Sequence, residues 1–391
     1  MVFCAGHRKA VTGVCPHRWG QHRAAASANL YVATTGNNAS AGTSASSPKK
    51  TIASALAAAS AGQIISVAPG TYTENFTTSK GGSSSGGYIT IRSETKHAAT
   101  IVGECLIEHQ YIRLQDFEIT GRNVQFACDV TANNVQVVGN KIHGIAKRIA
   151  TDNGGSAIEI YSADGEYTAM SNILIDGNEI FDVGTGPGDN ELVQGIYVST
   201  PVTNGIVSNN LVYDVTDFGL HAFHNPSGWR YVNNTVVGCG RGILTGPNFV
   251  TLNNISYNNR SANYDIRGSG NTLSNNLSGG TGNTTGTGIT AGVNPLFVNA
   301  ATTGDGDFRL QPTSPALNAA TRTNAPATDI AGTTRPQGTA VSIGAYEGTD
   351  HLNHDRPLAQ AAWRSWGVLT GLLLGRGASG RAGGGNPPIP R

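Results

Sequence analysis

The chain has 391 residues, of which 13% are charged, and its formal net charge is +1. This balance offers no basic surface to nucleic acid and includes no acidic tail. Glycine is abundant, at 52 residues, while aromatic residues are few, at 7%. Bundles of amphipathic helices use more Leu, Glu and Lys than this, so the composition favours short strands joined by many turns. No apolar stretch reaches the ~20 residues that a membrane span needs.

The two ends of the chain differ from its middle. Residues 1–28 carry Arg, His and Cys but lack the apolar region of a signal peptide. We interpret them as a leader or a vector-derived extension, and we expect them to be disordered. Residues 350–391 are low in complexity and are also predicted to be disordered. Residues 29–349 are predicted to form one domain, with a C-terminal capping segment from about residue 294.

A short motif recurs in the middle of the chain, where an Asn directly precedes an apolar, strand-like segment. The repeated residues are Asn140, Asn178, Asn210, Asn234, Asn254 and Asn276. Their spacings are 38, 32, 24, 20 and 22 residues, and the last three settle near one value, as in a solenoid. Asn tolerates the left-handed conformation, and its amide can bond to the same residue one coil away. The longer spacings contain insertions, which in repeat proteins often form the binding face.

A second series of strands lies between the Asn motifs, and in each strand the second position is apolar. This inward-pointing row is Cys128, Ile158, Ile196, Leu220, Ile243 and Tyr264. Because side chains alternate across a strand, the next position points outward. That outward row is Asp129, Glu159, Tyr197, His221, Leu244 and Asp265, and two residues further on lie Thr131, Tyr161, Ser199, Phe223, Gly246 and Arg267. Adjacent coils lie about 4.8 Å apart, so each row is a ladder of near neighbours.

Several segments resemble pectate-lyase-like β-helix proteins. Near the N-terminus these are Leu30–Asn37, Ser47–Ile52, Val67–Tyr72, Tyr88–Ser93 and Tyr111–Ile119, and near the C-terminus they are Ser314–Ala319, Asp329–Gly332 and Ile343–Glu347. The C-terminal group is similar to a segment common in bacterial secreted β-helix proteins. The resemblance covers about Leu30–Glu347 and implies an all-β, single-stranded right-handed parallel β-helix. It also implies that a helix at Ile52–Ala61 caps the open end of the core.

The sequence has the general character of calcium-dependent pectate lyases with a lysine base, and of chondroitinase-B-like and alginate lyases. This resemblance implies acidic residues that hold Ca²⁺ and a Lys or Arg that removes the C5 proton of a uronic acid. The family constellation is not matched residue by residue. The aspartate cluster of the lysine-base pectate lyases is absent, as is the Asp-Pro-His-Asp motif of mannuronan epimerases. Since one fold hosts many functions, the resemblance leaves the reaction type open.

The outward row holds groups suited to elimination from a uronic-acid polymer. Such chemistry needs a group that neutralises the uronate carboxylate, a base for the C5 proton and an acid for the leaving oxygen. Asp129 and Glu159 are predicted to share Ca²⁺, with Glu191 as a further ligand from an insertion, and Glu159 is also a candidate catalytic carboxylate. Tyr197 and His221, on the next rungs, are predicted to act as a base and acid pair.

Further candidates lie in the insertions and on the second outward row. Lys147 is an alternative catalytic base in the other insertion. Substrate binding is predicted for Arg148, Arg267, Phe223, Tyr161 and His224. Phe223 and Tyr161 offer aromatic faces to sugar rings, and the two cations suit uronate carboxylates. His224 occupies a turn, so a purely structural role for it stays open.

These observations predict a secreted polysaccharide lyase that cleaves a pectate- or alginate-type polymer by β-elimination. Secretion is inferred from the fold, and the protein is expected to be a monomer whose partner is the polysaccharide. One alternative is a glycoside hydrolase that uses paired carboxylates, such as Asp129 and Glu159. Another is a carbohydrate-binding or adhesin solenoid without catalysis. The product separates these readings, because elimination alone leaves an unsaturated, ultraviolet-absorbing sugar end.

Overall fold

Three long parallel sheets dominate the computed structural model, which describes residues 28–348 apart from 122–123, 147–153, 165–167, 186–191 and 304–305. Along the chain, strands enter the three sheets in a repeating order. We label these sheets A, B and C in that order. Each strand pairs in parallel with the strand one coil before it and one coil after it. This is a parallel β-helix, so the predicted fold class is confirmed.

Sheet A begins at the N-terminal end of the β-helix. Within the described residues its strands are Leu30–Val32, Ile64–Val67, Ile89–Ser93, Ile112–Gln115, Val135–Val138, Met170–Ser171, Ile173–Asp176, Pro201–Ser208, Ser227–Val232, Val250–Leu252 and Thr272–Ser274. Sheet B consists of Gly70–Tyr72, Ala99–Val102, Glu118–Thr120, Lys141–Ile145, Glu179–Val183, Leu211–Tyr213, Thr235–Val237, Ile255–Tyr257, Asn276–Gly279 and Ile289–Thr290.

Sheet C contains the second strand series of the sequence. Its described strands are Phe76–Thr77, Cys105–Ile107, Phe126–Val130, Gly155–Ile160, Val193–Val198, Phe218–Ala222, Arg241–Thr245, Ala262–Ile266 and Asn283–Thr284. A separate antiparallel pair, Phe297–Asn299 and Asp307–Leu310, follows the last coil. The repeated Asn motifs therefore mark the turns from sheet A to sheet B, and the outward rows of interest belong to sheet C.

The predicted capping helix is present at Ile52–Ala58. Thr51 caps it, because its side chain accepts a hydrogen bond from the backbone N–H of Ser54 at 3.2 Å. Ile52 and Leu56 are buried against the core. The helix ends before the predicted Ala61, since Ala59 already has extended backbone angles. No helix in the described part of the chain is long and apolar enough to cross a bilayer.

Inward-facing side chains form the continuous core of the helix. The predicted inward row of sheet C is fully or almost fully buried, including Cys128, Ile158 and Leu220. Tyr264 is also inward, and its hydroxyl donates to the carbonyl oxygen of Asn254 at 2.8 Å, which compensates its burial. Each fully buried aliphatic side chain stabilises the fold by roughly 1.5–3 kcal/mol.

The repeated Asn residues form a buried side-chain ladder, as the sequence predicted; we call Asn140, Asn178, Asn210, Asn234, Asn254 and Asn276 the Asn ladder. Each amide except that of Asn276, the last of the six, donates to the Asn oxygen of the next coil, for example from Asn210 Nδ2 to Asn234 Oδ1 at 3.0 Å. The left-handed conformation, however, falls on the residue before each ladder position, such as Asn233 at φ 56°. The sequence pattern suggested that one Asn would both adopt the left-handed conformation and bond to the next coil. In the structure, the preceding residue adopts the conformation and the ladder Asn makes the bond.

The C-terminal segment covers part of the outer surface of sheet B. Phe308 packs there against Tyr213, and Phe297 against Tyr257, with ring centroids 4.9 Å and 6.1 Å apart. Further along, Arg335 and Glu347 form a buried ion pair, with Nη1 and Oε2 2.8 Å apart. Arg335 also donates to Asn209 Oδ1, at 3.1 Å, which ties this segment to a turn of the helix. These contacts agree with a capping role, while the domain boundaries at the two ends stay a prediction.

Candidate functional site

Four predicted site residues lie on consecutive rungs of sheet C, in one outward row. The register pairs Asp129 with Glu159, Glu159 with Tyr197, and Tyr197 with His221. We call these four residues the sheet C row. The fifth residue of the predicted outward row, Leu244, keeps register with Asp265 but is buried, so it offers no surface to solvent. The sheet C row is thus a short polar strip, which ends at the apolar Leu244.

The N-terminal half of the sheet C row consists of desolvated carboxyl groups. Asp129 is only 7% exposed, and its Oδ1 has no hydrogen-bond partner among the described residues. Burial, followed by the nearby Glu159 and Glu104, raises the pKa of Asp129 to about 8. Burial raises the pKa of Glu159 to about 7. At neutral pH, where an exposed carboxyl would be ionised, Asp129 is therefore mostly protonated and Glu159 is partly protonated.

Tyr161 borders this acidic end, as its place on the second outward row predicts. Its pKa is raised, first by burial and then by the charges of Asp129 and Glu159. The ring is half-buried, so part of its surface faces solvent beside the two carboxyls. Tyr161 thus offers a partly exposed aromatic ring beside Asp129 and Glu159, and its predicted contact with a sugar stays a prediction.

The centre of the site is a hydrogen-bonded pair of proton-transfer groups. The Tyr197 hydroxyl and His224 Nδ1 lie 2.6 Å apart. His224 follows Phe223 in the turn after the strand, with a left-handed φ of 67°. Burial lowers the pKa of His224, which favours the neutral imidazole that accepts the hydroxyl proton. The sequence left His224 open between a turn residue and a site residue; the structure places it in a turn and in contact with Tyr197, and its role in a site stays a prediction.

His221, the predicted partner of Tyr197, makes a different kind of contact. Its ring stacks on Tyr197 at a centroid distance of 5.1 Å and on Phe218 at 3.8 Å. It is 6% exposed, and Nδ1 has no partner among the described residues. Burial, with the charges of Arg267 and Arg241, lowers the pKa of His221 to about 3. His221 is therefore neutral at physiological pH, and its ring packs against one face of the Tyr197 ring.

Two arginines lie at the C-terminal end of the row. Arg267, a predicted substrate-binding residue, forms an ion pair with Asp265 at 2.6 Å, and its side chain is 53% exposed. Arg241 was not singled out from the sequence; its guanidinium lies 5.0 Å from the centre of the Phe218 ring. The signal that would have found it is register, because Arg241 pairs with Phe218 one coil away. The site thus runs from carboxyl groups to cations.

Phe223 is the exposed aromatic surface of the site, at 49% exposure. Its ring stacks on His221, with centroids 5.6 Å apart. It therefore does not form one platform with Tyr161, which lies two coils away beside the carboxyls. The prediction of aromatic faces near the row agrees with these positions, and their contact with substrate stays a proposal.

The described residues do not by themselves suit a calcium ion. Calcium takes six to eight oxygen ligands, and no group of three or more His, Cys, Asp or Glu side chains with metal-binding geometry occurs among the described residues. Asp129 and Glu159 provide two adjacent carboxyls. Glu191, the further predicted ligand, lies outside the described residues, as do the predicted base Lys147 and the predicted substrate-binding Arg148.

Comparisons with known proteins leave the activity open. No protein-family model matches the chain, and no curated protein matches it either. Among solved structures, pectate lyase Pel9A is 16% identical with a TM-score of 0.39, over 81% of this chain and 96% of that chain.

Two further solved structures are similar. A complex of XylC with xylose is 10% identical with a TM-score of 0.45, over 82% of this chain and 98% of that chain. A rhamnogalacturonan lyase is 12% identical with a TM-score of 0.41, over 73% and 97%. Because these scores are below 0.5, the fold assignment rests on the strand pairing, and nothing about activity follows from them.

Proposed function

We propose that the protein is a polysaccharide lyase that cleaves a uronic-acid polymer by β-elimination on the outer face of sheet C. The observation that carries this proposal is the 2.6 Å contact between the Tyr197 hydroxyl and His224 Nδ1. That pair lies next to two carboxyl groups on one side and near two arginines on the other. Elimination needs these kinds of group in reach of one sugar.

The pair can move both protons of the reaction. Transfer of the Tyr197 proton to neutral His224 leaves a phenolate oxygen, which takes the C5 proton of the uronic acid. The C4–O bond then breaks, a C4–C5 double bond forms, and the leaving oxygen receives a proton from the His224 imidazolium. Tyr197 and His224 both return to their starting forms, so the step balances without a redox partner or water. General acid and base groups of this kind typically contribute 10²–10⁴-fold in rate.

The flanking groups support binding of an anionic sugar. With raised pKa values, Asp129 at about 8 and Glu159 at about 7 can each donate a hydrogen bond to a uronate carboxylate. Arg241 and Arg267 provide positive charge for carboxylates of neighbouring sugars along the chain. A polymer that lies along the row suits this order, because rungs are about 4.8 Å apart. Extracellular location and action as a monomer belong to the same proposal.

A glycoside hydrolase is the second candidate, favoured by one observation. Asp129 and Glu159 face each other across neighbouring strands, and burial raises both pKa values. Coupled carboxyls of this kind share protons, which would give one acid and one base or nucleophile. A hydrolase would not need the Tyr197–His224 pair, so the products and the effect of Tyr197 distinguish the two candidates.

The test uses the full chain on pectate, alginate, chondroitin sulfate and a neutral glycan, each with Ca²⁺ or with EDTA. We expect ultraviolet absorbance from unsaturated ends on one uronate polymer and none on the neutral glycan. EDTA sensitivity would reveal a metal requirement that the described residues do not explain. New reducing ends without absorbance would favour the hydrolase. Polymer binding without either product would favour a non-catalytic solenoid.

A further inference from the structure

A second polar patch lies on the outer face of sheet A, on a different sheet from the proposed catalytic row. Thr90 pairs with Arg113, and Arg92 pairs with Gln115, on two neighbouring strands. All four side chains are partly exposed. On the next coil, Gln136 lies opposite Arg113. We call these five residues the sheet A patch.

Two tyrosines border the sheet A patch. Tyr88 and Tyr111 meet edge to face, with ring centroids 5.5 Å apart. The Tyr88 hydroxyl hydrogen-bonds to Gln136; burial raises the pKa of Tyr88, and the charge of Arg113 acts in the opposite direction. Both rings are partly exposed. Tyrosines next to a cation are common where proteins bind sugars or other polar ligands, because each ring offers an apolar face and a hydroxyl.

Arg113 is a desolvated cation whose hydrogen-bonding groups are incompletely used. Its Nη1 donates to Gln136 Oε1 at 3.1 Å, while its Nε is buried and has no hydrogen-bond partner among the described residues. No described carboxylate forms an ion pair with it. Burial lowers its pKa, although the charges of Asp116 and Asp176 act from a distance in the opposite direction. Charges in such settings normally have a counter-ion.

We propose that the sheet A patch is a second glycan-binding site, in which Arg113 and Arg92 bind the carboxylate of an acidic sugar. The guanidinium group offers a planar fork of N–H donors that matches a carboxylate. Thr90 and Gln115 supply neutral hydrogen-bonding groups around the ring. Because this site is on another sheet, it would hold polymer to the protein without taking part in cleavage. The proposal therefore goes beyond the chemistry proposed for sheet C and does not depend on it.

Arginine modification by phenylglyoxal, read by peptide mass spectrometry, tests this in the full, unaltered chain. We expect hexagalacturonate to slow modification of Arg113, whereas maltohexaose, an uncharged hexasaccharide, leaves it unchanged. Arg230 is the matched control, because it lies in the same outward row of sheet A further along the helix. Equal modification of Arg113 with and without hexagalacturonate would overturn the proposal, and so would an Arg113 that the reagent never reaches.

Affinity electrophoresis through pectate gives a second measurement, in chains that also carry Tyr197→Phe to stop turnover. Arg113→Gln is expected to weaken retardation by about 10-fold to 100-fold, since a charge-assisted contact is lost. Arg230→Gln should migrate like its parent. Arms with chondroitin sulfate and with free sulfate separate a carboxylate site from a site for any oxyanion. Equal retardation of the Arg113 and Arg230 variants would contradict the proposal, whether or not sheet C proves catalytic.

Discussion

The Asn ladder and the sheet C row both place one polar side chain on each successive coil of the same helix, yet their hydrogen bonding differs. In the ladder, each buried amide bonds to the next; Asn234, for example, also bonds to the carbonyl oxygen of Val207 at 2.8 Å. In the sheet C row, Asp129 Oδ1 and His221 Nδ1 are buried without partners among the described residues. Complete pairing indicates a structural role, and incomplete pairing next to exposed rings indicates a place for a ligand.

The largest expected effect is a loss of catalytic activity when the sheet C row is changed. Tyr197→Phe removes the hydroxyl that contacts His224, and we predict a loss of 10²–10⁴-fold in kcat on the cleaved polymer. Tyr213→Phe is the matched control, because that hydroxyl bonds to Glu179 on sheet B at 3.0 Å. It should keep nearly full activity. Equal losses in both variants, or none in Tyr197→Phe, would break the assignment of catalysis to the sheet C row.

Stability should show the opposite pattern. Asn234→Ala removes four side-chain hydrogen bonds and takes away the acceptor of the buried Asn210 backbone N–H. We predict a loss of about 3 kcal/mol or more in the free energy of unfolding, measured with denaturant. Asn294→Ala should cost about 1 kcal/mol, since Asn294 is exposed and its Oδ1 accepts one hydrogen bond, from the backbone N–H of Leu296 at 2.9 Å. Similar costs would show that the ladder is not specially stabilising.

The pH dependence of stability tests the desolvated carboxyls. The folded-state pKa of Asp129, about 8, lies above its unfolded value near 4, so the folded chain keeps a proton that the unfolded chain releases. Stability is therefore greatest below the unfolded pKa and falls as pH rises from about 4 to 8. Asp129→Asn should flatten this decline by a few kcal/mol. If the free energy of unfolding falls equally with pH in the variant and the parent between about pH 4 and 8, Asp129 has an ordinary pKa.

The smallest effect is expected for the exposed ion pair. Arg267 and Asp265 are only 2.6 Å apart, but the Arg267 side chain is 53% exposed, so solvent screens the attraction. Arg267→Gln should change the free energy of unfolding by less than about 0.5 kcal/mol. If Arg267 binds substrate, the variant will raise KM more than it lowers kcat. An unchanged KM would remove Arg267 from the substrate-binding residues.

The parts of the structure that repeat could be predicted from the sequence. The recurrent Asn and the alternation at Cys128 and Ile158 gave the solenoid, the Asn ladder and the rungs of sheet C, because each depends on local periodicity. Register then put Asp129 next to Glu159, as expected.

What the sequence could not give depends on contacts between coils and on turns. His224 lies in a turn, where no periodicity fixes the direction of a side chain, so its contact with Tyr197 could not be derived. Leu244 sits at an outward position of the alternation, yet it is buried. Arg113 and Gln136 are separated by 23 residues, and only the pairing of coils brings them together. These three features therefore needed the three-dimensional structure.

The proposal of β-elimination is tested most directly by digesting the substrate polymer in water enriched in oxygen-18 and measuring the masses of the products by mass spectrometry. Elimination breaks the C4–O bond without adding water, so the account predicts products that carry an unsaturated end and no label. One labelled oxygen per cleaved bond would show hydrolysis and would contradict the role given to Tyr197 and His224.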